Sequence, residues 1–233
     1  MKNRAVLLSL PLLLLAACGQ ATVPQAQAPA TSPTQAEAPA TPELKTFATL
    51  LQEPGWQQTS PGYWERTTQD GRETLYAGAA GAERALQDRK ATLDRVTKDL
   101  AGRPGSAPIL EKLQHSVDTL QRNLDTAREK GALTSQSVWQ CTVQASTQVT
   151  TEARGVKATG YVSCPSSAYS LSGQAVAYTS TDPGGWDEKS GRSYLSVFAK
   201  AYGTSGCFAH VNVDASDGWT GEVNGQTRER PYC

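Results

Sequence analysis

Cys207 and His210 are the residues whose types and spacing come nearest to catalytic chemistry in this sequence. They lie three positions apart, and a thiol beside an imidazole is a common nucleophile. The other histidine, His115, lies off the apolar stripe of a predicted helix, and Ser205 lacks the Gly-x-Ser-x-Gly pattern of a nucleophile elbow. The sequence shows neither zinc-ligand spacing nor a glycine-rich phosphate loop. We therefore predict no catalytic residue and no metal centre, and we expect that the protein is not an enzyme.

Tryptophan and aspartate on two predicted loops are stronger candidates for ligand binding. The strand-like segments span 138–150, 155–164, 169–179, 194–202 and 207–214. If successive strands alternate in direction, the connections after 150, 179 and 214 all lie at one end of the domain. The candidate ligand-binding residues there are Asp182, Trp186, Asp187, Asp214, Asp217 and Trp219. They suit a glycan or peptide, or weakly Ca²⁺, but they equally suit a capped sheet end with solvated acids.

The N-terminus has the layout of a secretory signal. Lys2 and Arg4 precede an apolar run over 5–17, which ends in two alanines before Cys18. This run is shorter than the ~20 residues that span a bilayer. A cysteine directly after the small residues resembles the lipobox of bacterial lipoproteins, over residues 1–18 only. The resemblance implies cleavage before Cys18, lipid on that cysteine, and a membrane as partner through the lipid.

The same resemblance bears on localisation. Gly19 is not the aspartate that, in this family, retains lipoproteins on the inner membrane of double-membrane bacteria. An exported protein, anchored to the outer membrane or surface where the cell has one, is therefore implied. The chain has 22 Lys+Arg and 22 Asp+Glu, and loss of Lys2 and Arg4 leaves a net charge of −2. Without a basic field, nucleic acid is not an expected partner.

Export changes the interpretation of the remaining cysteines. Four are left after Cys18, and an even number in an exported chain favours two disulfides. A two-residue turn at 152–153 would set Cys141 opposite Cys164 on antiparallel strands, within disulfide reach. Cys207–Cys233 then follows by elimination. This pairing would leave Cys207 unable to act as a nucleophile.

The segments between the signal and the β region differ in composition. Residues 18–42 hold Cys18, the lipidation site that the resemblance implies, and a stretch rich in Pro, Ala and Gln, which predicts a disordered tether. Residues 43–82 predict a small α+β segment, with a short helix and two strands at 63–68 and 73–77. Residues 83–130 predict a helical hairpin, broken at 102–108 by Gly and Pro. The second arm has a coiled-coil seam, which consists of Leu110, Leu113, Val117, Leu120, Leu124 and Ala127.

These observations predict an α+β fold: an antiparallel coiled-coil hairpin followed, over 131–233, by an antiparallel β sandwich or barrel with two disulfides. The leading functional hypothesis is a membrane-anchored envelope lipoprotein that acts as a non-catalytic binding or adaptor module, with envelope glycan or an envelope protein as partner. A second hypothesis is a structural or assembly lipoprotein that uses the hairpin. A third is an envelope hydrolase, which would need His210 or a free Cys207.

Overall fold

The computed structural model describes residues 45–129, 140–150, 154–166, 169–217 and 223–231. In this part of the chain, eleven strands form two antiparallel sheets, and three helices accompany them. The strands are β1 (Lys45–Thr46), β2 (Gln57–Ser60), β3 (Tyr63–Thr68), β4 (Gly71–Ala77), β5 (Thr142–Thr150), β6 (Gly155–Ser163), β7 (Tyr169–Tyr178), β8 (Gly185–Gly191), β9 (Tyr194–Tyr202), β10 (Phe208–Asp217) and β11 (Val223–Arg230). The helices are α1 (Phe47–Leu50), α2 (Gly78–Asp99) and α3 (Ala107–Glu129).

The two sheets stack as a sandwich, in agreement with one of the predicted β architectures. The smaller sheet has the order β1-β5-β6-β9 and the larger has the order β2-β3-β4-β11-β10-β7-β8. One apolar core joins them, with Val143 and Leu195 from the smaller sheet and Ala175 and Val211 from the larger. The sheets approach closely at Gly160, where a Cβ atom would lie 2.6 Å from Cγ2 of Val211. Period-two alternation of apolar residues produces this interface.

The coiled-coil prediction is wrong. Helices α2 and α3 pack on each other, but their apolar faces also cover the outer face of the larger sheet. Leu120 and Leu124 of α3 pack with Tyr63 and Tyr76 of the sheet, and a second cluster joins Leu113 to strand side chains nearby. A 3,4-spaced stripe shows that one helix face is apolar, but it does not show whether a helix or a sheet covers that face.

The early and late segments of the chain share one sheet. Strand β4 pairs with β11 in an antiparallel register that sets Tyr76 opposite Gly225. Strand β3 has the bounds that the sequence predicts, and β4 begins two residues before the predicted strand. The short strand β2 was not predicted, because its exposed Gln-Gln-Thr-Ser sequence has no apolar alternation.

The predicted β5–β6 hairpin is confirmed in register and in its disulfide. Val149 lies opposite Val156, and Val143 lies opposite Val162. Cys141 and Cys164 are bonded across the start of this hairpin, with Cα atoms 4.2 Å apart. A bridge closing a loop of this length stabilises the fold by about 3 kcal/mol.

The prediction of two disulfides is corrected to one fully described bridge, Cys141–Cys164. Cys207 is buried and disulfide-bonded. Its predicted partner, Cys233, lies outside the described residues, as does Cys18. The structure therefore gives Cys207 no role as a nucleophile. None of the described helices is long and apolar enough to cross a membrane.

Candidate functional site

The six predicted ligand residues do not form one loop surface. Trp186 and Asp187 lie in strand β8, in a segment predicted as a connection, and Asp214 lies buried within β10. Asp217 ends β10 opposite Tyr169, and Trp219 lies outside the described residues. The simple up-and-down order fails because β8 pairs with β7 in the larger sheet, while β9 pairs with β6 in the smaller one.

Two of the predicted acids protect a strand edge instead. Asp182 Oδ2 accepts a hydrogen bond of 2.8 Å from the backbone N–H of Tyr202, and Asp187 Oδ2 accepts one of 3.0 Å from Phe198. Lys189 Nζ donates to the backbone carbonyl of Ser196 at 2.7 Å. Ser196 lies in β9, as do Tyr202 and Phe198. Side chains near and within β8 thus satisfy the open edge of β9 and close the sandwich on this side.

Asp214 belongs to a buried polar group between α2 and the larger sheet. Its Oδ1 accepts a hydrogen bond of 2.5 Å from Nη2 of Arg89, and the hydroxyl of Tyr76 donates to the same oxygen. Ser172 donates to Oδ2 at 3.0 Å. Burial raises the pKa of Asp214 and lowers that of Arg89 to about 9, and their pairing opposes both shifts. Both oxygens of the Asp214 carboxylate thus accept hydrogen bonds from other residues of the fold.

A cleft of about 210 Å³ lies beside this buried group, between α3 and strands β7, β8 and β10. Its lining is polar and rich in uncharged hydrogen-bonding side chains. The residues that give it this character are Ser116, Thr119, Ser172, Gln174, Ser190 and Asn212. Neutral amides and hydroxyls of this kind can both donate and accept hydrogen bonds.

Two amide oxygens of this lining have no hydrogen-bond partner among the described residues. They are Oε1 of Gln174 and Oδ1 of Asn212, and both side chains belong to residues only 2% exposed. The orientation of each amide follows from its nitrogen, since Gln174 Nε2 donates to the carbonyl of Lys112 and Asn212 Nδ2 donates to Asp214. Leaving a buried acceptor without a donor costs roughly 1–3 kcal/mol. A ligand that donates to these oxygens would recover that energy.

The charges at the mouth of the cleft are compensated. Lys112 Nζ lies 3.2 Å from Glu188, and His115 Nε2 lies 3.5 Å from the same carboxylate. Lys189 pairs with Asp187 at 2.9 Å. Since Arg89 is paired as well, the lining presents hydroxyls and amides and no excess charge of either sign.

Trp186 stands beside this mouth. Its register partner on β7 is Val176, so it lies on the same side of β8 as Glu188 and Ser190, which line the cleft. The indole is 42% exposed, and Lys112 Nζ lies 5.1 Å from its ring centroid. The structure thus brings one predicted ligand residue to the cleft and none of the predicted acids into its lining.

Gln174 and Asn212 are not recognisable as site residues from the sequence, for a physical reason. Each alternates with apolar neighbours on its strand, and such a polar position normally faces solvent. Here helices cover that side of the sheet, so the amides are buried. Polar residues at the outward positions of two adjacent strands were the available signal, and only the position of α3 made them cleft residues.

His210 takes part in a separate buried cluster. Glu229 lies between α2 and the sheet. Its Oε2 forms a salt bridge of 2.6 Å with Arg95 and accepts a hydrogen bond of 3.1 Å from the hydroxyl of Thr92. The same oxygen lies 3.5 Å from Nδ1 of His210. Burial by itself would raise the pKa of Glu229, but His210 and Arg95 outweigh that effect and lower it to about 2. The geometry gives His210 a structural role beside Glu229.

No group of three or more His, Cys, Asp or Glu side chains within the described residues could hold a metal ion. The Ca²⁺ possibility therefore finds no site in this part of the chain. No protein-family model matches the chain, and comparisons with curated proteins and with solved structures found no match either.

Proposed function

We propose that the protein is a lipid-anchored envelope protein whose folded part binds a small, uncharged, polar ligand in the cleft between α3 and β8. The observation that carries this proposal is the pair of buried, unpartnered amide oxygens on Gln174 and Asn212. Native proteins rarely bury such acceptors without a donor. A bound ligand that carries hydroxyl groups supplies the missing donors.

A sugar residue fits this chemistry best. Its hydroxyls donate to amide oxygens and accept from serine hydroxyls, and it carries no net charge that the compensated cleft would have to balance. The exposed indole of Trp186 at the mouth offers an apolar ring face for the C–H side of a sugar. We therefore favour a saccharide unit of an envelope glycan over a peptide or a metal ion.

The proposed localisation in the cell envelope is inferred from Cys18 and the lipobox-like residues before it. We expect cells fed a radiolabelled fatty acid to label the wild-type protein and leave the Cys18→Ala protein unlabelled and uncleaved. A Cys141→Ser variant is the matched control, because it loses a cysteine elsewhere and should still be labelled. Equal labelling of wild-type and Cys18→Ala protein would contradict the lipid anchor.

The cleft is tested by thermal unfolding of the full chain in a non-ionic detergent. With free monosaccharides (glucose, galactose, N-acetylglucosamine) at ~10 mM, a dissociation constant near 1 mM stabilises the native state by about 1.4 kcal/mol. We expect at least one sugar to raise the melting temperature of the wild-type protein. Asn212→Leu should abolish that rise, because it removes the buried Oδ1 acceptor to which the sugar would donate a hydrogen bond.

Gln226→Leu is the control for the amide. Gln226 is equally buried, but its oxygen already accepts a 2.9 Å hydrogen bond from the backbone N–H of Ala145, away from the cleft. This variant should be less stable and should keep the full sugar-induced rise. If no sugar shifts the melting temperature, or if Asn212→Leu keeps the shift, the saccharide cleft is wrong.

The assembly hypothesis receives less support. Leu113, Val117 and Leu120, which would form its seam, are buried against the chain's own sheet and α2. A partner would have to bind another surface. We propose no catalytic role, since neither Cys207 nor His210 has the surroundings of a nucleophile or base.

A further inference from the structure

The outer face of the smaller sheet carries a row of exposed aromatic rings. On the edge strand β9, Tyr194, Phe198 and Tyr202 are each half exposed, at 53%, 50% and 55%. The intervening odd-numbered residues point inward and fill the core; they are Leu195, Val197, Ala199 and Ala201. Residues four positions apart on a strand face the same side and lie roughly 13 Å from each other. The three rings therefore form an evenly spaced line along the sheet face.

The neighbouring strand adds to this face. Tyr161 of β6 makes an edge-to-face contact with Tyr194, with ring centroids 5.0 Å apart. Lys157 of β6 lies directly opposite Lys200 of β9, and Lys200 Nζ lies 4.5 Å from the ring centroid of Tyr202. We call this surface the aromatic face. It consists of Lys157 and Tyr161 on β6 and of Tyr194, Phe198, Lys200 and Tyr202 on β9.

The charge on the aromatic face has one sign. Neither Lys157 nor Lys200 forms a salt bridge within the described part of the chain. Among the described residues of β5, β6 and β9, the outward positions hold no Asp or Glu. Like charges directly opposite on adjacent strands destabilise a sheet. An anionic group lying between the two ammonium groups would remove that repulsion.

We propose that the aromatic face binds an anionic polysaccharide, with the rings packing on sugar faces and the two lysines contacting its carboxylates or phosphates. The aromatic ring face is negative and attracts the weakly positive C–H groups of a sugar. Paired lysines complement the charge of the polymer. This surface lies on the smaller sheet, whereas the saccharide cleft lies on the helix side of the larger one.

Other occupants fit the aromatic face less well. A second copy bound face to face through a two-fold axis would bring four lysines together without an acid. A peptide strand added to β9 would compete with Asp182, Asp187 and Lys189, which already bond to that edge. An interfacial membrane contact needs apolar groups buried ~5–10 Å deep, and Ser196 and Thr159 beside Phe198 oppose that.

The test is affinity electrophoresis of the full chain in non-ionic detergent, in native gels that contain a polymer. We use polygalacturonate for carboxylate, phosphorylated dextran for phosphate, and hydroxyethyl cellulose as the neutral polymer. We expect retardation by at least one anionic polymer, weakened by added salt. Lys157→Gln with Lys200→Gln should weaken binding about fivefold to tenfold, as two exposed ion pairs would. Phe198→Ala should weaken it about threefold to tenfold.

Lys90→Gln with Lys98→Gln is the matched control, because it removes the same charge from exposed positions of α2 and should leave retardation unchanged. Asn212→Leu should also bind the polymer normally, which separates this surface from the cleft. The proposal is overturned if neither anionic polymer retards the protein, or if the α2 variant loses binding equally. It is also overturned if phosphatidylglycerol in the micelles, but not phosphatidylcholine, abolishes retardation, because the face would then be a lipid surface.

Discussion

Asp214→Ala is expected to lower the free energy of unfolding by about 3–5 kcal/mol, the cost of leaving a buried partner charge uncompensated. The Arg89 side chain is only 4% exposed, and its Nη2 lies 2.5 Å from Asp214. Without the carboxylate, the guanidinium keeps Tyr76 and Ser116 as neutral partners. Urea unfolding followed by circular dichroism measures the change.

Two comparisons show whether pairing or packing is responsible. Glu83 pairs with Arg128 at 2.8 Å on the surface, where both side chains are about half exposed. Glu83→Ala should therefore lower the free energy of unfolding far less than Asp214→Ala does, because water screens an exposed ion pair. The double replacement Arg89→Met with Asp214→Leu should be more stable than Asp214→Ala, since no buried charge is left unpaired. A loss below about 1 kcal/mol for Asp214→Ala would contradict the buried ion pair.

Protonation of Glu229 is expected to remove about 3 kcal/mol of stability as the pH falls. Its pKa is about 2 in the folded protein, against 4.5 for the ordinary side chain. The folded state therefore stabilises the ionised form of Glu229 relative to the unfolded state. This contribution is complete above pH 4.5 and is lost as the pH falls through about 2.

Glu229→Gln isolates this effect from the other carboxylates. At neutral pH the variant should be less stable than the wild-type protein by up to about 3 kcal/mol, and the difference should vanish near pH 2. Glu111→Gln, on the exposed side of α3, is the control and should give a curve parallel to that of the wild type. Urea unfolding at several pH values gives the curves. A constant difference between the wild-type and Glu229→Gln curves would show that the carboxylate does not titrate as proposed.

Local pattern was enough for much of the β structure. The alternation over 142–150 and 155–163, with a short turn between, predicted the pairing of Val143 with Val162 and the disulfide of Cys141. A hairpin needs only contacts between neighbours in sequence, so its register is encoded locally. The same holds for α2 and α3, whose apolar stripes and the glycines at 102 and 105 predicted two helices and a break.

The site depended on contacts between residues far apart in the chain. Trp186 was predicted as a loop residue, because its segment is charged and follows Pro-Gly-Gly, but pairing with Val176 makes it part of an edge strand. Asp214 was predicted beside it and is instead buried against Arg89, which lies 125 positions away in sequence. Propensity contains no information about such a partner.

Sequence alone thus determined the helices and the β5–β6 hairpin, because each depends on residues close together in the chain. The lipid anchor at Cys18 stays a prediction from the sequence. Only the tertiary structure decided that the helices cover a sheet and that Gln174 and Asn212 line a cleft beneath α3. It also decided that the acids near β8 seal a strand edge. A polar side chain becomes a site only when a distant element excludes water from it, and that depends on how sheets and helices pack.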